Sequence, residues 1–113
     1  MNQQCFNIDQ AVFTATKQQL NDEKQLAILS KALSHSARLR ILSILLAVDK
    51  SGGCLNSDLV SELGLAQSTV SEHLRILKTA ELITAEPMPP KMCYRINRDT
   101  LTTFSGLFLA LYS

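Results

Sequence analysis

A glycine between two short helical segments constrains the fold of this chain more than any other feature. The stretch from Leu55 to Ile83 reads as two helices that meet at Gly64. The first helix opens at polar residues suited to capping and carries an apolar stripe: Asn56, Ser57 and Asp58, then Leu59, Val60 and Leu63. Gly64 can take the left-handed backbone conformation that ends a helix, and residues 65–66 turn the chain into a second helix near Gln67. This pattern predicts a helix-turn-helix over about residues 55–80.

The second helix has an apolar side and a polar side. Val70, Leu74 and Leu77 repeat at helical spacing and are predicted to face inward. The residues predicted on or beside the outward face are polar: Gln67, Ser68, Thr69, Ser71, Glu72, His73 and Arg75. Such Gln, Ser and Thr side chains suit contacts with base edges, and Arg75 and Lys78 suit phosphates. The alternative is an ordinary helical hairpin whose polar face is merely solvated.

The residues after this helix favour DNA binding over that alternative. Short runs with β-branched or aromatic residues, at 83–86 and 92–96, flank a proline-rich segment at 87–91 that cannot be helical. A β-hairpin in this position is a wing, predicted over about residues 82–97, with Lys91 near its tip. The fold class is therefore a winged helix-turn-helix, mainly α with a small β-hairpin.

Apolar spacing predicts further helices at both ends of the chain. At the N-terminal side, we expect helices over about 7–20, from an N-cap at Asp22 to Leu33, and over 37–48. The third is predicted to bury Leu39, Leu42, Leu45 and Leu46. The last helix, about 99–112, repeats Leu101, Phe104, Phe108 and Leu111, with Leu107 beside them. We interpret helices 7–20 and 99–112 as homodimerisation elements, although the last face could simply pack on the chain's own helices.

Composition places the chain in one domain, residues 1–113, with no membrane partner. No apolar run approaches the ~20 residues of a membrane span, and the N-terminus is not a signal peptide, so we expect a cytoplasmic protein with reduced cysteines. The net charge of +1 is weak for a DNA binder. However, Arg75, Lys78, Lys91, Arg95 and Arg98 cluster in the proposed binding half, and a dimer doubles that patch. No recognisable catalytic constellation is present, and we expect no enzyme and no required cofactor.

Two stretches carry a resemblance to a known family. Residues 31–42, KALSHSARLRIL, resemble the "KALADPTRLRIL" stretch of the arsenical-resistance-repressor (ArsR/SmtB) family, and residues 65–74, LAQSTVSEHL, resemble its "LSQPTVSRHL" recognition helix. The resemblance covers about residues 24–112. It implies a winged-helix homodimer, with elements in the order α-α-α-α-β-β-α, that binds double-stranded operator DNA as a repressor and dissociates when an inducer binds.

The family's metal motifs are not present in their usual form. Where metalloid sensors carry "ELCVCDLC", the three thiol positions hold Leu55, Ser57 and Val60, and Cys54 lies one residue outside. The last helix has Asp99, interpreted as its N-cap, and no His, so no zinc or nickel site is expected there. His35 lies in an inter-helical break and is interpreted as a capping or surface residue.

The three cysteines leave alternatives open. Cys54 is placed beside the second wing strand, which holds Cys93, and Cys5 lies on an N-terminal segment that could reach a neighbouring subunit. Three thiolates suit a trivalent inducer such as As(III) or Sb(III), and a pair suits a redox or reactive-sulfur response. Alternatively, Cys93 is only a small buried side chain and the other two are incidental.

Two classes of function compete. The leading hypothesis is a repressor released from DNA by a thiol-reactive inducer. The other is a winged-helix protein-interaction module without an inducer site. The polar, cation-flanked face of the second helix favours the repressor, because a protein-docking surface usually presents aromatic or aliphatic anchors.

Overall fold

The computed structural model describes residues 7–55 and 59–113. A short 3-10 helix, Gln10–Phe13, precedes four α-helices, a two-stranded antiparallel sheet and a last helix. Their bounds are α1 Lys17–Ala32, α2 Ser36–Lys50, α3 Leu59–Leu63, α4 Gln67–Thr79, β1 Ile83–Met88, β2 Lys91–Ile96 and α5 Arg98–Tyr112. This order confirms the predicted winged helix-turn-helix. The predicted cap at Asn56, Ser57 and Asp58, and the candidate thiol of Cys5, lie outside the described residues.

The N-terminal prediction was wrong. No continuous helix covers residues 7–20; after the 3-10 helix the chain is extended until Thr16, whose hydroxyl caps α1 by accepting the Gln19 N–H at 3.0 Å. Helix α1 then runs through Asp22, the predicted N-cap, without a break. Thr16 and Gln19 stand at the spacing of a capping box, so the sequence did contain this start signal.

The core lies where α1, α2, α3, α4 and the wing meet. It contains the buried side chains Leu29, Ala32, Ile41, Leu42, Leu45, Leu59, Val70, Leu77, Leu82, Ile83 and Ile96. In α2, Leu42 and Leu45 are buried and Leu46 is partly buried, as predicted. Leu39 was predicted inward but is 48% exposed. Leu39 lies one residue after Arg38, which is buried and occupies the inward position of this first turn.

The turn of the helix-turn-helix forms as predicted. Gly64 has φ +64°, the left-handed conformation that ends α3, and α4 begins at Gln67. Helix α4 ends in the same manner at Glu81, which has φ 61°. There the Glu81 N–H donates to the Lys78 carbonyl and the Leu82 N–H to the Leu77 carbonyl, the two hydrogen bonds of a Schellman motif.

The wing is a longer hairpin than predicted. Ile83 pairs with Ile96 at the base and Met88 with Lys91 at the tip, so only Pro89 and Pro90, joined by a cis peptide bond, form the turn. Lys91 is therefore at the tip, as predicted. Leu55 forms an isolated β-bridge with Tyr94 through two backbone hydrogen bonds, of 2.9 and 2.8 Å.

Helix α5 packs against α1 and leaves much apolar surface exposed. Asn97, and not Asp99, occupies its N-cap position, and the Asn97 side chain donates to the Glu81 carbonyl at 2.9 Å. Asp99 instead lies in the first turn. Leu101, Phe104, Leu107 and Leu111 are partly buried, whereas Phe108 is 50% exposed. Among the described residues, no helix combines the length and apolar character that crossing a membrane requires.

Candidate nucleic-acid interface

The outward face of α4 presents short polar side chains to solvent. Gln67, Ser68, Thr69 and Ser71 are exposed over its first two turns. Val70 and Leu77 are buried on the opposite side and hold the helix against the core. The polar face is thus rigidly supported and free to contact a ligand, as the sequence predicted for these four side chains.

Helix α4 and the wing flank a common groove. A cleft of about 260 Å³ is lined on one side by Gln67, Ser71, Leu74, Arg75 and Lys78, and on the other by Ala85, Met92 and Tyr94. Lys91, next to Met92, is exposed at the wing tip. The fold therefore brings seven of the predicted DNA-contacting residues, all but His73, onto α4 and the wing tip that borders it: Gln67, Ser68, Thr69, Ser71, Arg75, Lys78 and Lys91.

One cation on this face has an acidic partner. Arg75 donates to both carboxylate oxygens of Glu72, from Nε at 2.9 Å and from Nη2 at 2.5 Å. The hydrogen bond from Arg75 lowers the pKa of Glu72, and the same bond raises the pKa of Arg75. Both side chains are more than half exposed, so the pair is a weak surface interaction that a phosphate group can displace.

The structure corrects the prediction for His73. Its side chain was predicted on or beside the outward face and as a DNA contact, but only 6% of the residue is exposed. Arg38 Nη1 lies 3.1 Å from His73 Nδ1, and the His35 ring lies beside the His73 ring, with centroids 4.4 Å apart. His73 therefore faces α2 and not the solvent that a nucleic acid would occupy.

Arg38 connects three helices from a buried position. Its Nε donates to the Ala32 carbonyl at 2.6 Å and its Nη2 to the Lys31 carbonyl at 3.4 Å, at the end of α1. Its Nη1 donates to His73 on α4. Arg38 was not among the residues predicted to be functional. The sequence did contain a signal for its burial, because Arg38 lies four residues before Leu42 and so shares the helix face predicted to be buried with Leu42 and Leu45.

Proton placement argues against a metal at the two histidines. A guanidinium group only donates, so His73 Nδ1 must be an acceptor, and the ring proton is on Nε2. His35 Nδ1 likewise accepts the Ala37 N–H at 3.1 Å, which confirms its predicted capping role. A metal bound at Nε2 requires a proton on Nδ1. In both rings Nδ1 faces a hydrogen-bond donor and must accept, so it cannot carry that proton. Among residues 7–55 and 59–113, no group of three or more His, Cys, Asp and Glu side chains could hold a metal ion.

The environment of His73 keeps its ring neutral. Burial, and then the positive charges of His35 and Arg38, lower the pKa of His73, and Glu72 opposes this only in part. The Nε2 atom is buried and has no hydrogen-bond partner within the described part of the chain. A neutral ring is what the hydrogen bond from Arg38 requires.

Two of the three candidate thiols meet in space. Cys54 and Cys93 are joined by a disulfide, with Cα atoms 5.6 Å apart, beside the Leu55–Tyr94 bridge. This confirms the predicted placement of Cys54 beside the second wing strand, but the expectation of reduced cysteines is not met at this pair. The predicted three-thiol set is not brought together by the described residues, because they include only these two cysteines.

These features define a protein class: a winged helix-turn-helix with a polar recognition face and a basic wing tip. The model of the family "Bacterial regulatory protein, arsR family" matches residues 35–85. The arsenical resistance operon repressor of Staphylococcus xylosus is 32% identical over 78 residues, which cover 69% of this chain and 71% of that protein. The chain belongs to the ArsR family, a family of regulators and not of enzymes.

A second relative is an HTH-type transcriptional regulator of Mycobacterium tuberculosis. It is 39% identical over 66 residues, which cover 58% of this chain and 55% of that protein. The match thus spans just over half the length of this relative.

Solved structures share the fold. Reduced HlyU from Vibrio cholerae has a TM-score of 0.65 at 23% identity, covering 87% of this chain and 100% of that one. The winged helix-turn-helix DNA-binding domain of a possible ArsR-family regulator from Mycobacterium bovis, described as homodimeric, has a TM-score of 0.62 at 24% identity and covers 86% of this chain and 87% of that one.

Proposed function

We propose that the protein is a transcriptional repressor that binds double-stranded operator DNA as a homodimer. The observation that carries this proposal is the groove shared by α4 and the wing, with hydrogen-bonding side chains on the helix and cations around it. A recognition helix of this size fits the major groove, and the wing then lies over the adjacent backbone or minor groove.

The residues of this surface divide into two roles. Gln67, Ser68, Thr69 and Ser71, on the first two turns of α4, contact base edges and supply sequence preference. Arg75, Lys78 and Lys91 contact phosphates and supply affinity that depends on salt and not on sequence. His73 has no direct contact in this proposal, because it is buried.

The apolar ends of the chain support a homodimer. Ile8, Val12 and Phe13 before α1 are 55%, 64% and 73% exposed, and Phe108, Leu109 and Tyr112 on α5 are 50%, 57% and 65% exposed. So many large apolar side chains exposed near the two ends of a small chain mark an association surface. The structural neighbour from M. bovis is described as homodimeric, which supports association of this chain in pairs. A two-fold dimer presents two copies of α4 to half-sites about one duplex turn apart.

A mobility-shift assay on DNA upstream of the protein's own gene tests this proposal. We expect salt-sensitive binding. Gln67→Ala with Ser71→Ala should remove the preference for this DNA over a scrambled sequence and leave non-specific affinity largely intact. Gln25→Ala with Ser30→Ala, at exposed positions on α1, is the matched control. Absence of any shift would contradict DNA binding and favour a protein-interaction module.

The inducer in this proposal is a thiol-reactive species, As(III) or Sb(III). The staphylococcal relative is named an arsenical resistance operon repressor, and Cys54 and Cys93 place two sulfur ligands together. When reduced, these thiolates suit a soft trivalent ion, with Cys5 as the candidate third ligand. Release from the operator by arsenite or antimonite should be lost when Cys54 or Cys93 is changed to Ser. Release that survives changes at all three cysteines would exclude a thiol site.

A further inference from the structure

The Cys54–Cys93 pair joins the helix-turn-helix to the wing. Cys54 lies in the connection between α2 and α3, four residues after the end of α2, and Cys93 lies in the middle of β2. Their Cα separation of 5.6 Å is within the usual range for disulfides, so the two thiols can bond without moving the backbone. The neighbouring residues Leu55 and Tyr94 are already paired by two backbone hydrogen bonds.

The two cysteines differ in access to solvent. Cys93 is 1% exposed, whereas Cys54 is partly exposed. Arg95 Nη1 donates to the Gly53 carbonyl at 3.2 Å, which places a positive charge beside the residue that precedes Cys54. Reactive cysteines are typically partly exposed and near a cation, and a second thiol within bonding distance resolves the oxidised form. Cys54 has the features of the attacking thiol and Cys93 those of the resolving thiol.

We propose that Cys54 and Cys93 form a reversible oxidation site for hydroperoxides, which locks the wing to the helix-turn-helix and lowers operator affinity. In the first step, the Cys54 sulfur attacks a peroxide oxygen, the O–O bond breaks, and Cys54 sulfenic acid and an alcohol, or water from hydrogen peroxide, are formed. The Cys93 sulfur then attacks the Cys54 sulfur, the S–S bond forms, the S–O bond breaks, and water leaves. Two thiols lose two electrons and two protons, and the peroxide takes up both.

The effect on DNA follows from where the bond lies, and it rests on the proposed repressor function. Wing residues 84–92 extend beyond the core and are exposed, apart from the partly buried Ala85 and Met92. The Leu55–Tyr94 pair anchors the middle of β2 to the connection before α3. In the dithiol form, this two-hydrogen-bond anchor lets the wing adjust its angle to α4 when both elements engage DNA. A covalent bond beside the anchor removes that freedom and keeps the wing in the unbound arrangement.

The oxidation site also limits the metalloid response. A disulfide has no thiolate to donate, so the oxidised protein cannot capture arsenite through these two sulfurs. Oxidation and metalloid binding are therefore mutually exclusive at this pair.

The experiment uses the full chain with Cys5→Ser, so that Cys54 and Cys93 are the only thiols. After reduction and desalting, one sample is treated with hydrogen peroxide, and both are assayed for titratable thiols, intact mass and binding to the DNA upstream of the gene. We expect the treated protein to lose both thiols and two hydrogens of mass. Its operator affinity should fall about tenfold, within the range of coupling between linked sites, and dithiothreitol should restore it.

The single variants Cys54→Ser and Cys93→Ser, each with Cys5→Ser, are the controls. Both should bind DNA like the reduced parent before and after peroxide. The proposal is overturned if both thiols of the parent remain titratable after peroxide, or if the disulfide form binds the operator as tightly as the dithiol form. If the reduced parent itself does not bind DNA, the repressor function has failed and its redox control with it, while the thiol count still decides whether the disulfide forms.

Discussion

Glu81 holds a backbone conformation that suits glycine. Its φ of 61° lies in the left-handed region, and the Schellman motif at the end of α4 fixes it there. Its carbonyl also accepts hydrogen bonds from Asn97 Nδ2 at 2.9 Å and Thr100 Oγ1 at 2.6 Å, so the conformation is required by the junction with α5. A non-glycine residue in this region costs of order 1 kcal/mol.

We therefore expect Glu81→Gly to stabilise the fold. Relief of the unfavourable φ outweighs the backbone entropy that glycine loses on folding, and the net gain should be about 0.5–1 kcal/mol in the free energy of unfolding. Urea unfolding measures it. Glu81→Ala is the matched control, because it removes the same side chain but keeps the strained backbone. Equal stability of the two variants would contradict this account.

Glu72 is expected to lower the affinity of the proposed DNA-binding face of α4 for DNA. Its carboxylate occupies the donors of Arg75 and adds a negative charge where phosphates would lie. Glu72→Gln should raise affinity for specific and scrambled DNA alike by severalfold, because it frees a phosphate contact without adding a base contact. Mobility shifts at two salt concentrations test this. Glu23→Gln, an equal charge change on the exposed side of α1, should have a much smaller effect.

At the scale of elements, the joint between α2 and α4, which is the hydrogen bond between Arg38 and His73, depends on a neutral histidine. The pKa of His73 is lowered in the folded state by burial and by the charges of His35 and Arg38, with Glu72 as the opposing charge. The hydrogen bond from Arg38 needs an unprotonated Nδ1. The contribution of this joint is thus fully present above the ordinary His value of 6.5 and is lost as pH falls through the lowered folded-state pKa.

Stability should therefore fall on acidification from pH 7 to pH 5 through His73. In His73→Asn, the side-chain oxygen accepts from Arg38 and does not titrate, so this variant should lose less stability than the wild type over the same range. Urea midpoints measured at intervals of half a pH unit give the comparison. His35→Asn keeps a capping acceptor but removes one of the charges that lower the pKa of His73, so it should alter the pH dependence only in part. If His73→Asn lost as much stability as the wild type over this range, His73 would not be the titrating group.

The elements show which parts of the fold could be read from the sequence. Gly64 and the apolar spacing of α3 and α4 predicted the helix-turn-helix, because local backbone preference and core packing agree there. His73 was misplaced although it lies three residues after Val70 and four before Leu77, which is core spacing on a helix. A polar residue at such a position is buried only if a partner satisfies it, and Arg38, 35 residues earlier, is invisible to local patterns.

At the scale of the whole molecule, the proposed second subunit would lie against the exposed face of α5. Phe108→Asp should shift the protein toward monomer, because a charge in an apolar interface is costly to bury. Sedimentation equilibrium measures the change. Operator affinity should fall with it, since a monomer contacts one half-site. Thr103→Asp, an exposed position on another side of α5, is the control and should leave the oligomeric state unchanged.

Long-range relations were less predictable than the elements. The pairing of the α2–α3 connection with β2 was expected, and the Cys54–Cys93 contact followed from it. The sequence did not reveal that the α2–α4 joint is a buried arginine, or that Asn97 and Thr100 fasten the last helix to Glu81. These contacts join residues far apart in sequence whose polar character by itself favours the surface.

The hydrogen bonds of Arg38 to α1 and α4 affect how the operator preference of this protein can evolve. Its guanidinium connects the last turn of α1 to the inward side of α4. The orientation of α4 therefore depends partly on a helix that supplies none of the proposed DNA contacts. In a selection for altered operator preference, we expect substitutions near Lys31 and Ala32 to be recovered alongside those at Gln67 and Ser71. Such substitutions would change the tilt of α4 on the DNA without changing any side chain that is proposed to contact bases.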